Sequence, residues 1–352
     1  MKILKYILVL LLLTGTANAQ TTDAGDLTGT TACPWLKIAV GARAAGMGEA
    51  YTAICDDASA IFWNPGNLMR IRKTQFFAQY SMWLIDSGHQ AASFAVPIGG
   101  KNRTGSITGA IPPPIPETAF YDPSFYYMGF NAFAPAGGYE EPDAPLPTPA
   151  GVFAIGVTAL TSGEITSTDE SGNPGAAVTM MSYAAIASFC QSVGDNIGLG
   201  LNVKMINETI ADDISSTYAL DAGISLSAGG IRLGGAIQNL GGSIKDLELP
   251  RVIRAGASMI LGPITVSGDY VMPNDHAPYM SAGGEFSLGG ALSARAGMII
   301  GLDDFGSGSS NLVPEGFTAG VGLGGNNLSI DAAIVPYGDL GETYRASMKM
   351  SF

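Results

Sequence analysis

The residue types that most often carry out chemistry are sparse in this chain, and their spacing matches no known catalytic motif. Its 352 residues include two histidines, His89 and His276, and three cysteines. His89 stands close to Asp86 and Ser87, but three polar residues so near one another in sequence are more typical of a polar turn in a loop. Neither histidine, both placed in outer loops, lies near a serine nucleophile motif or metal-ligand spacing. We therefore expect no enzymatic activity, no metal and no cofactor.

A second pattern, the glycines at Gly41, Gly46 and Gly48, is faintly similar to a phosphate-binding loop. Its spacing fits neither the dinucleotide fingerprint nor the P-loop, and no alternation of strands and helices follows it. A net charge of -13 also excludes nucleic acid as the partner.

The first nineteen residues have the pattern of an export signal. Lys2 and Lys5 precede an apolar run over 7–13, and Ala17-Asn18-Ala19 forms a small-x-small cleavage site. This pattern predicts a signal peptide at 1–19. The apolar run is too short for a membrane-spanning helix, which needs about 20 residues.

The composition indicates a membrane barrel more than a soluble domain. Mean hydropathy is +0.25, charged residues make up 13%, and glycine accounts for 48 positions. These values are unusual for a soluble globular protein but suit a sheet with one face in lipid. A large soluble β-sandwich or β-helix is the alternative.

Alternation of apolar and polar residues dominates the chain after Thr74 and is clearest in the last ten residues. There, Tyr344, Ala346, Met348, Met350 and Phe352 alternate with polar side chains. Such alternation predicts strands with one apolar face. A terminal aromatic strand of this kind resembles the insertion signal of outer-membrane barrels, with Tyr344 and Phe352 as its aromatic residues.

The connections predict an all-β fold, a transmembrane antiparallel barrel of about fourteen strands over 74–352. Tight glycine-rich turns, such as Gly262-Pro263, alternate with longer polar links, such as 207–215, as in outer-membrane barrels. The proline- and aromatic-rich stretch near 111–150 does not fit, because proline is excluded from central strands. It is either an ordered loop at the rim, an aromatic docking surface, or an extra hairpin that makes sixteen strands.

The segment 20–73 is predicted to be a small helical plug inside the barrel, and its central part is 41–68. It is rich in small residues and ends its helical pattern at Asn64-Pro65-Gly66. Pro65 disfavours helix at Asn64, and Gly66 permits a positive φ, so this turn is expected to lead into the first strand. A helical hairpin on the surface is the alternative.

The same segment resembles the amino-terminal motif of the PorV/PorQ family, which is related to the FadL-type outer-membrane barrels. The matching positions are Gly41, Arg43, Gly46, Met47, Gly48, Asp56, Asp57, Ser59, Asn64 and Pro65. Further likeness lies in 231–241, 250–255 and 336–343, whereas Gly66 replaces the family's usual alanine and the stretch before Gly151 departs from the family.

Two functions follow from this resemblance, both in the bacterial outer membrane. The PorV/PorQ likeness implies a non-enzymatic component of the type IX secretion system, with secretion subunits and exported cargo as partners. The FadL likeness implies a channel for hydrophobic molecules, for which Met47, Tyr51, Ile61, Phe62 and Trp63 are candidate pocket residues. Those side chains serve equally well as the packing core of the plug.

Further expectations concern charges, thiols and lipid. Alternation directs Arg254, Asp269, Glu285 and Arg295 into the lumen, where cross-strand ion pairs Arg254–Asp269 and Glu285–Arg295 are available. Cys33 and Cys55 flank the plug and are either disulfide-bonded or free. Outer-membrane lipid and lipopolysaccharide are the expected surroundings, and acidic outer loops are candidates for cation-bridged contact with the latter.

Overall fold

The computed structural model describes residues 29–84, 86–100, 148–163, 165–168, 174–211, 213–288, 291–301, 316–325 and 327–352. Its strands, in chain order, are β1 (Gln75–Met82), β2 (Gly88–Gly100), β3 (Pro149–Thr161), β4 (Ile165–Thr168), β5 (Pro174–Val178), β6 (Met180–Val193), β7 (Ile197–Ile210), β8 (Asp213–Ala228), β9 (Ile231–Leu240), β10 (Ser243–Ile244), β11 (Leu247–Glu248), β12 (Val252–Leu261), β13 (Ile264–Pro273), β14 (Tyr279–Leu288), β15 (Leu292–Ile300), β16 (Phe317–Gly324), β17 (Leu328–Pro336) and β18 (Glu342–Ser351).

Fourteen of these strands close into one antiparallel barrel, and β1 pairs with β18 to complete it. The hairpins β4–β5 and β10–β11 form two small separate sheets. The prediction of a fourteen-stranded antiparallel barrel is therefore confirmed.

The two faces of the wall follow the alternation in the sequence. On β7, Leu201 and Val203 are 64% and 55% exposed on the outer surface, whereas Asn202 and Lys204 are buried inside. An apolar outer face and a polar inner face are what a barrel in lipid requires.

The connections differ at the two ends of the barrel. At the turn end, the links are short, as at 194–196, 229–230 and 262–263, except for the link between β2 and β3. The opposite end, the loop end, carries both hairpins and most of the other long links. One expected long link, 207–215, is instead mostly strand, because β7 continues to Ile210 and β8 begins at Asp213.

The insertion near 111–150 leaves the wall at the turn end. There Gly100, the last residue of β2, pairs with Pro149, the first residue of β3. Strand β3 thus includes the last two residues of the predicted insertion, and residues 101–147 lie outside the described residues.

Strand pairing in the described wall has one shift of register, between β8 and β9. It falls where Asn239 adopts a positive φ of 58° and donates its backbone N–H to Asp221, at 2.8 Å. An extra residue of this kind is a β-bulge, which strengthens the local twist.

The segment before β1 lies inside the barrel. It contains two short helices, α1 (Ala42–Gly46) and α2 (Ala60–Trp63), with 3-10 turns at Pro34–Lys37 and Pro65–Arg70; a further 3-10 turn lies at Gly338–Leu340. Met47, Ile54, Ile61 and Leu68 are fully buried, and together with Phe77 they form part of the main apolar core. We refer to residues 29–73 as the plug.

Two further expectations concern the amino-terminal region. Cys33, Cys55 and Cys190 are all free and buried, so the alternative with a Cys33–Cys55 disulfide is wrong; Cys33 packs in a different apolar cluster from Cys55. The predicted signal peptide, 1–19, lies outside the described residues. Among the residues that the structure describes, no helix has the length and apolarity to cross a membrane.

Candidate functional site

The plug runs through the lumen from the loop end to the turn end. At the loop end, Thr31 donates to Asp275 at 2.6 Å and Lys37 forms an ion pair with the same carboxylate at 2.6 Å. At the turn end, Arg70 donates to Ser227 at 2.8 Å, and Lys73 donates to Asn327 at 3.3 Å. The plug is therefore attached to the wall at both ends.

Between these ends, glycines let the plug backbone lie directly against the wall. A Cβ on Gly46 would lie 2.9 Å from the Cα of Gly320, and a Cβ on Gly283 would lie 2.2 Å from the carbonyl oxygen of Met47. Gly41, with a φ of 100°, donates its N–H to Gln79 at 2.6 Å. The motif glycines thus serve close packing between plug and wall rather than phosphate binding.

Asn64-Pro65-Gly66 forms a second close contact, with β7 and β8. The buried amide of Asn64 donates to the carbonyl oxygens of Thr52 and Ile224, at 3.1 and 2.9 Å, and accepts from the N–H of Gly66 at 3.0 Å. Asn64 is extended, as expected before proline.

Two expectations about this turn are wrong. Gly66 is not among the residues with positive φ, and the chain continues from Pro65 in a 3-10 turn to Arg70 before it enters β1. Glycine is needed at 66 because a Cβ would lie 2.9 Å from the carbonyl oxygens of both Gly198 and Gly223.

An ion-pair network joins the plug to three strands of the wall. Arg43 lies 2.7 Å from Asp56 and 2.8 Å from Glu285. Glu285 in turn lies 2.6 Å from Arg295, which lies 2.7 Å from Asp331. The structure thus places Glu285 and Arg295 in contact on neighbouring strands, as expected, and adds Arg43 of the motif.

The other expected pair, Arg254–Asp269, does not form. The register places Asp269 opposite Gly256, and its carboxylate accepts the N–H groups of Tyr51 and Thr52 at 3.0 and 2.8 Å. The guanidinium of Arg254 instead lies 5.0 Å from the ring centroid of Trp63. The expectation is wrong because Arg254 lies opposite Val271, two residues away from Asp269 in the register, and the plug backbone bonds to one oxygen of the Asp269 carboxylate.

The remaining acid of the motif, Asp57, stays within the plug. Its carboxylate accepts from the backbone N–H of Ser59 at 2.9 Å and from the hydroxyl of the same residue. Burial raises the pKa of Asp57 above its usual value. Asp57 therefore stabilises the local turn.

The expected hydrophobic pocket in the plug is not a pocket. Met47, Tyr51, Ile61 and Trp63 are each no more than 2% exposed, and Phe62 packs against the same core. Tyr51 and Trp63 meet edge to face with their ring centroids 5.6 Å apart. These side chains fill the plug's own core, the alternative that the sequence left open.

A different cavity lies at the loop end, between the plug and the wall, with a volume of about 270 Å³. We call it the aromatic pocket. Its apolar lining includes Pro34, Ile38, Trp83, Tyr279, Ile299 and Tyr337, and Lys37, Glu49, Arg254 and His276 contribute polar groups.

Trp83 and Tyr337 are fixed in one arrangement at this pocket. Their ring centroids are 5.2 Å apart, edge to face, and Arg345 lies 5.3 Å from the Trp83 ring. Arg345 also donates to the Tyr337 hydroxyl at 3.0 Å. A rigid aromatic wall with a few polar groups is typical of a small-molecule site.

His89, placed in a loop by sequence reasoning, lies within β2 with its side chain buried in the lumen. Its ring nitrogens lie 3.0 Å from Gln79 and 2.8 Å from the Thr158 hydroxyl. Because both nitrogens already have partners, His89 has a structural role in the lumen.

The two residues of the expected insertion signal lie on the seam of the barrel. Tyr344 is exposed on the outer face of β18, and the N–H of Phe352 donates to the carbonyl oxygen of Thr74 at 2.9 Å. This hydrogen bond joins the end of β18 to the start of β1.

Comparison with solved structures defines the fold class. The toluene transporter TbuX of Ralstonia pickettii has a TM-score of 0.56 at 12% identity, with 89% of this chain and 98% of that chain covered. The toluene transporter TodX of Pseudomonas putida gives 0.56 at 10% identity, with 89% and 98% covered. A FadL homologue of Pseudomonas aeruginosa gives 0.50 at 12% identity, with 89% and 98% covered.

The chain is thus an outer-membrane β-barrel protein whose lumen holds an amino-terminal plug. Its fold is that of the FadL-type transporters, and its location is the bacterial outer membrane. No family model matches the sequence, and no curated protein matches it. In outer-membrane barrels the short turns face the periplasm, so the loop end with its aromatic pocket faces outward.

Proposed function

We propose that this protein is a channel for the uptake of small hydrophobic molecules, with the aromatic pocket as the first binding site. The observation that carries the proposal is the pocket itself, at the outward end and lined by Trp83, Tyr279 and Tyr337. The likeness in fold to two toluene transporters and a FadL homologue supports it.

The size of the pocket limits the ligand. Its volume of about 270 Å³ lies just below the range for drug-sized small-molecule sites, about 300–1,000 Å³. An aromatic hydrocarbon with one ring suits such a lining, because ring pairs are favourable edge to face.

Passage beyond this pocket requires the plug to move. The main core of the plug is buried, and at Gly46 and Gly48 its backbone lies directly against the wall. The wall strands are hydrogen-bonded neighbours all around the barrel. A bound molecule therefore reaches the periplasm only if part of the plug shifts.

The proposal is tested with radiolabelled toluene taken up by cells that produce the protein or its variants. Trp83→Ala removes one aromatic wall, and we expect uptake at low substrate concentration to fall about tenfold, which corresponds to about 1.4 kcal/mol of binding. Tyr218→Ala is the matched control, because Tyr218 is an aromatic residue 67% exposed on the outer face of the wall. Equal uptake by Trp83→Ala and the unaltered protein would count against the proposal.

A second function, a component of the type IX secretion system, is favoured by one observation. The residues of the PorV/PorQ-like motif are those that lock the plug in place, which suits a barrel that acts as a closed platform for other proteins. Purification from the outer membrane in mild detergent separates the two functions. Stoichiometric secretion subunits or cargo with no effect of Trp83→Ala would favour the second.

A further inference from the structure

A separate cavity lies at the turn end of the lumen, beneath the plug, with a volume of about 480 Å³. We call it the basic chamber. It is lined by Arg43, Asp56, Arg70, Arg72, Arg232 and Lys349. Five of the chain's seventeen basic residues therefore surround one cavity with one acid, in a protein that has thirty acidic residues.

The one acid in the chamber forms ion pairs with two of the five cations. The carboxylate of Asp56 lies 2.7 Å from Arg43 and 3.3 Å from Arg232. Burial alone would raise the pKa of Asp56. These two arginines instead hold the pKa well below its usual range. Asp56 is thus ionised and already engaged on both oxygens.

Of the other three cations, Arg72 interacts with the charge of Asp195, while Arg70 and Lys349 form no ion pair within 4.0 Å with any described residue. Arg70 donates to neutral oxygens, those of Asn67, Ser227 and Ser225 at 3.3, 2.8 and 2.9 Å. Burial, together with the nearby charges of Arg232 and Arg72, lowers the pKa of Arg70 to about 10. The like charges therefore repel one another across the chamber.

Arg72 and Lys349 complete the excess of positive charge. The Nη1 atom of Arg72 is buried and has no hydrogen-bond partner within the described part of the chain. Lys349 forms no ion pair within 4.0 Å with any residue that the structure describes. A buried donor without a partner is costly unless a ligand satisfies it.

We propose that the basic chamber binds an oxyanion, a carboxylate or phosphate group that enters from the periplasmic end. Arginine is suited to such groups, because its planar fork of N–H donors matches two oxygens at once. Arg70, Arg72 and Lys349 hold the anion, while Arg232 lies between it and Asp56. The anion comes either from free phosphate in the periplasm or from the head group of an amphipathic carboxylate.

This inference does not rest on the proposed function, because the basic chamber and the aromatic pocket share no lining residue. The chamber can bind phosphate even if the protein takes up no hydrocarbon. Conversely, hydrocarbon uptake that depends on Trp83 does not require an anion in the chamber.

The test measures binding to the full-length protein in detergent by equilibrium dialysis, with inorganic phosphate, decanoate and uncharged decanol as probes. We expect saturable binding of at least one of the two anions, weakened at least tenfold by Arg72→Gln and by Lys349→Gln. Lys73→Gln is the matched control, because Lys73 is an exposed neighbour that bonds to Asn327 outside the chamber. The Lys73→Gln variant is expected to bind the anion as tightly as the unaltered protein.

The probes identify the source of the anion. Binding of phosphate alone indicates a free inorganic anion, whereas binding of decanoate that exceeds that of decanol and depends on Arg72 indicates an amphipathic carboxylate. The proposal is overturned if neither anion binds, or if Arg72→Gln and Lys349→Gln bind as tightly as Lys73→Gln. Retention of the heat-resistant folded band in gel electrophoresis shows that each variant compared is folded.

Discussion

Gly48 of the plug lies so close to Met298 of β15 that a Cβ on Gly48 would be 2.4 Å from the Met298 amide nitrogen. The N–H of Gly48 also donates to the hydroxyl of Thr318 on β16, at 3.0 Å. On the opposite side of the contact, a Cβ on Gly297 would lie 1.9 Å from the Gly48 nitrogen. Backbone therefore meets backbone here, which makes this the tightest point between plug and wall.

Gly48→Ala is expected to displace the plug while the wall stays folded. Overpacking costs about 1–3 kcal/mol, and alanine at the observed φ of 61° adds about 1–2 kcal/mol. Entry of a small hydrophilic antibiotic into cells should rise, because the lumen is no longer sealed. Rates of antibiotic hydrolysis in the periplasm measure this entry.

Gly229→Ala is the control for backbone strain alone. Gly229 has a φ of 60°, but a Cβ there would meet no atom within 4 Å. Gly229→Ala is expected to lower stability only through the strained backbone at this φ, and to leave antibiotic entry unchanged. If both variants raised entry equally, close contact of Gly48 with the wall would not be the cause.

Asn64→Ala is expected to loosen the turn-end half of the plug. The substitution removes donors to Thr52 and Ile224 and leaves the N–H of Gly66 without its acceptor. Loss of partners for buried polar groups costs about 1–3 kcal/mol. Protease cleavage at Arg70 should become faster, while the wall remains resistant; Asn67→Ala provides a comparison at a second buried amide that also donates to Thr52, at 2.7 Å.

Deletion of Phe352 is expected to impair assembly in the outer membrane. The deletion removes the N–H that bonds to Thr74 across the seam, together with the terminal aromatic side chain. Phe352→Ala keeps the backbone bond and loses only the ring, so a defect shared by both identifies the ring as the signal. Normal amounts of folded barrel in both strains would contradict this prediction.

Acid should weaken the attachment of the plug at Asp56. The folded-state pKa of Asp56 lies below that of the unfolded chain, because Arg43 and Arg232 outweigh the opposing effect of burial. The stabilisation that ionised Asp56 gives to the folded state is therefore complete above about pH 4 and declines as the pH falls further. Solute entry into proteoliposomes should rise below that pH, and Asp56→Asn should remove this dependence. An identical pH profile in Asp56→Asn would assign the change to another group.

The fold was accessible from sequence because a barrel in lipid imposes a simple pattern. Every second residue of β7 and β18 faces lipid, so apolar alternation reports both strand and orientation. Alternation predicts a long link after Asn207, because strands that extend beyond the membrane lose that apolar signal. The side-chain period cannot show where such strands end.

The sites were less accessible, because they depend on contacts between distant stretches. Trp83, Tyr279 and Tyr337 come from three different connections or strand ends, and nothing in their sequence spacing brings them together. Alternation alone pairs Asp269 with Arg254, whereas the register separates them and the backbone N–H groups of Tyr51 and Thr52 bond to one oxygen of the Asp269 carboxylate. Glycines were the exception, since several in one short segment already indicate close backbone approach.

The most direct test of the proposed channel is to lock the plug to the wall. The plug approaches β18 closely where the N–H of Ala42 lies 3.1 Å from the hydroxyl oxygen of Ser347, and Ala42→Cys with Ser347→Cys is the cysteine pair to be oxidised at this contact. Uptake of a radiolabelled hydrophobic molecule into proteoliposomes is then measured in the oxidised and reduced states. A channel whose plug must move predicts that oxidation blocks uptake and reduction restores it. Equal uptake in both states, with the disulfide verified by mass spectrometry, would contradict passage through the lumen.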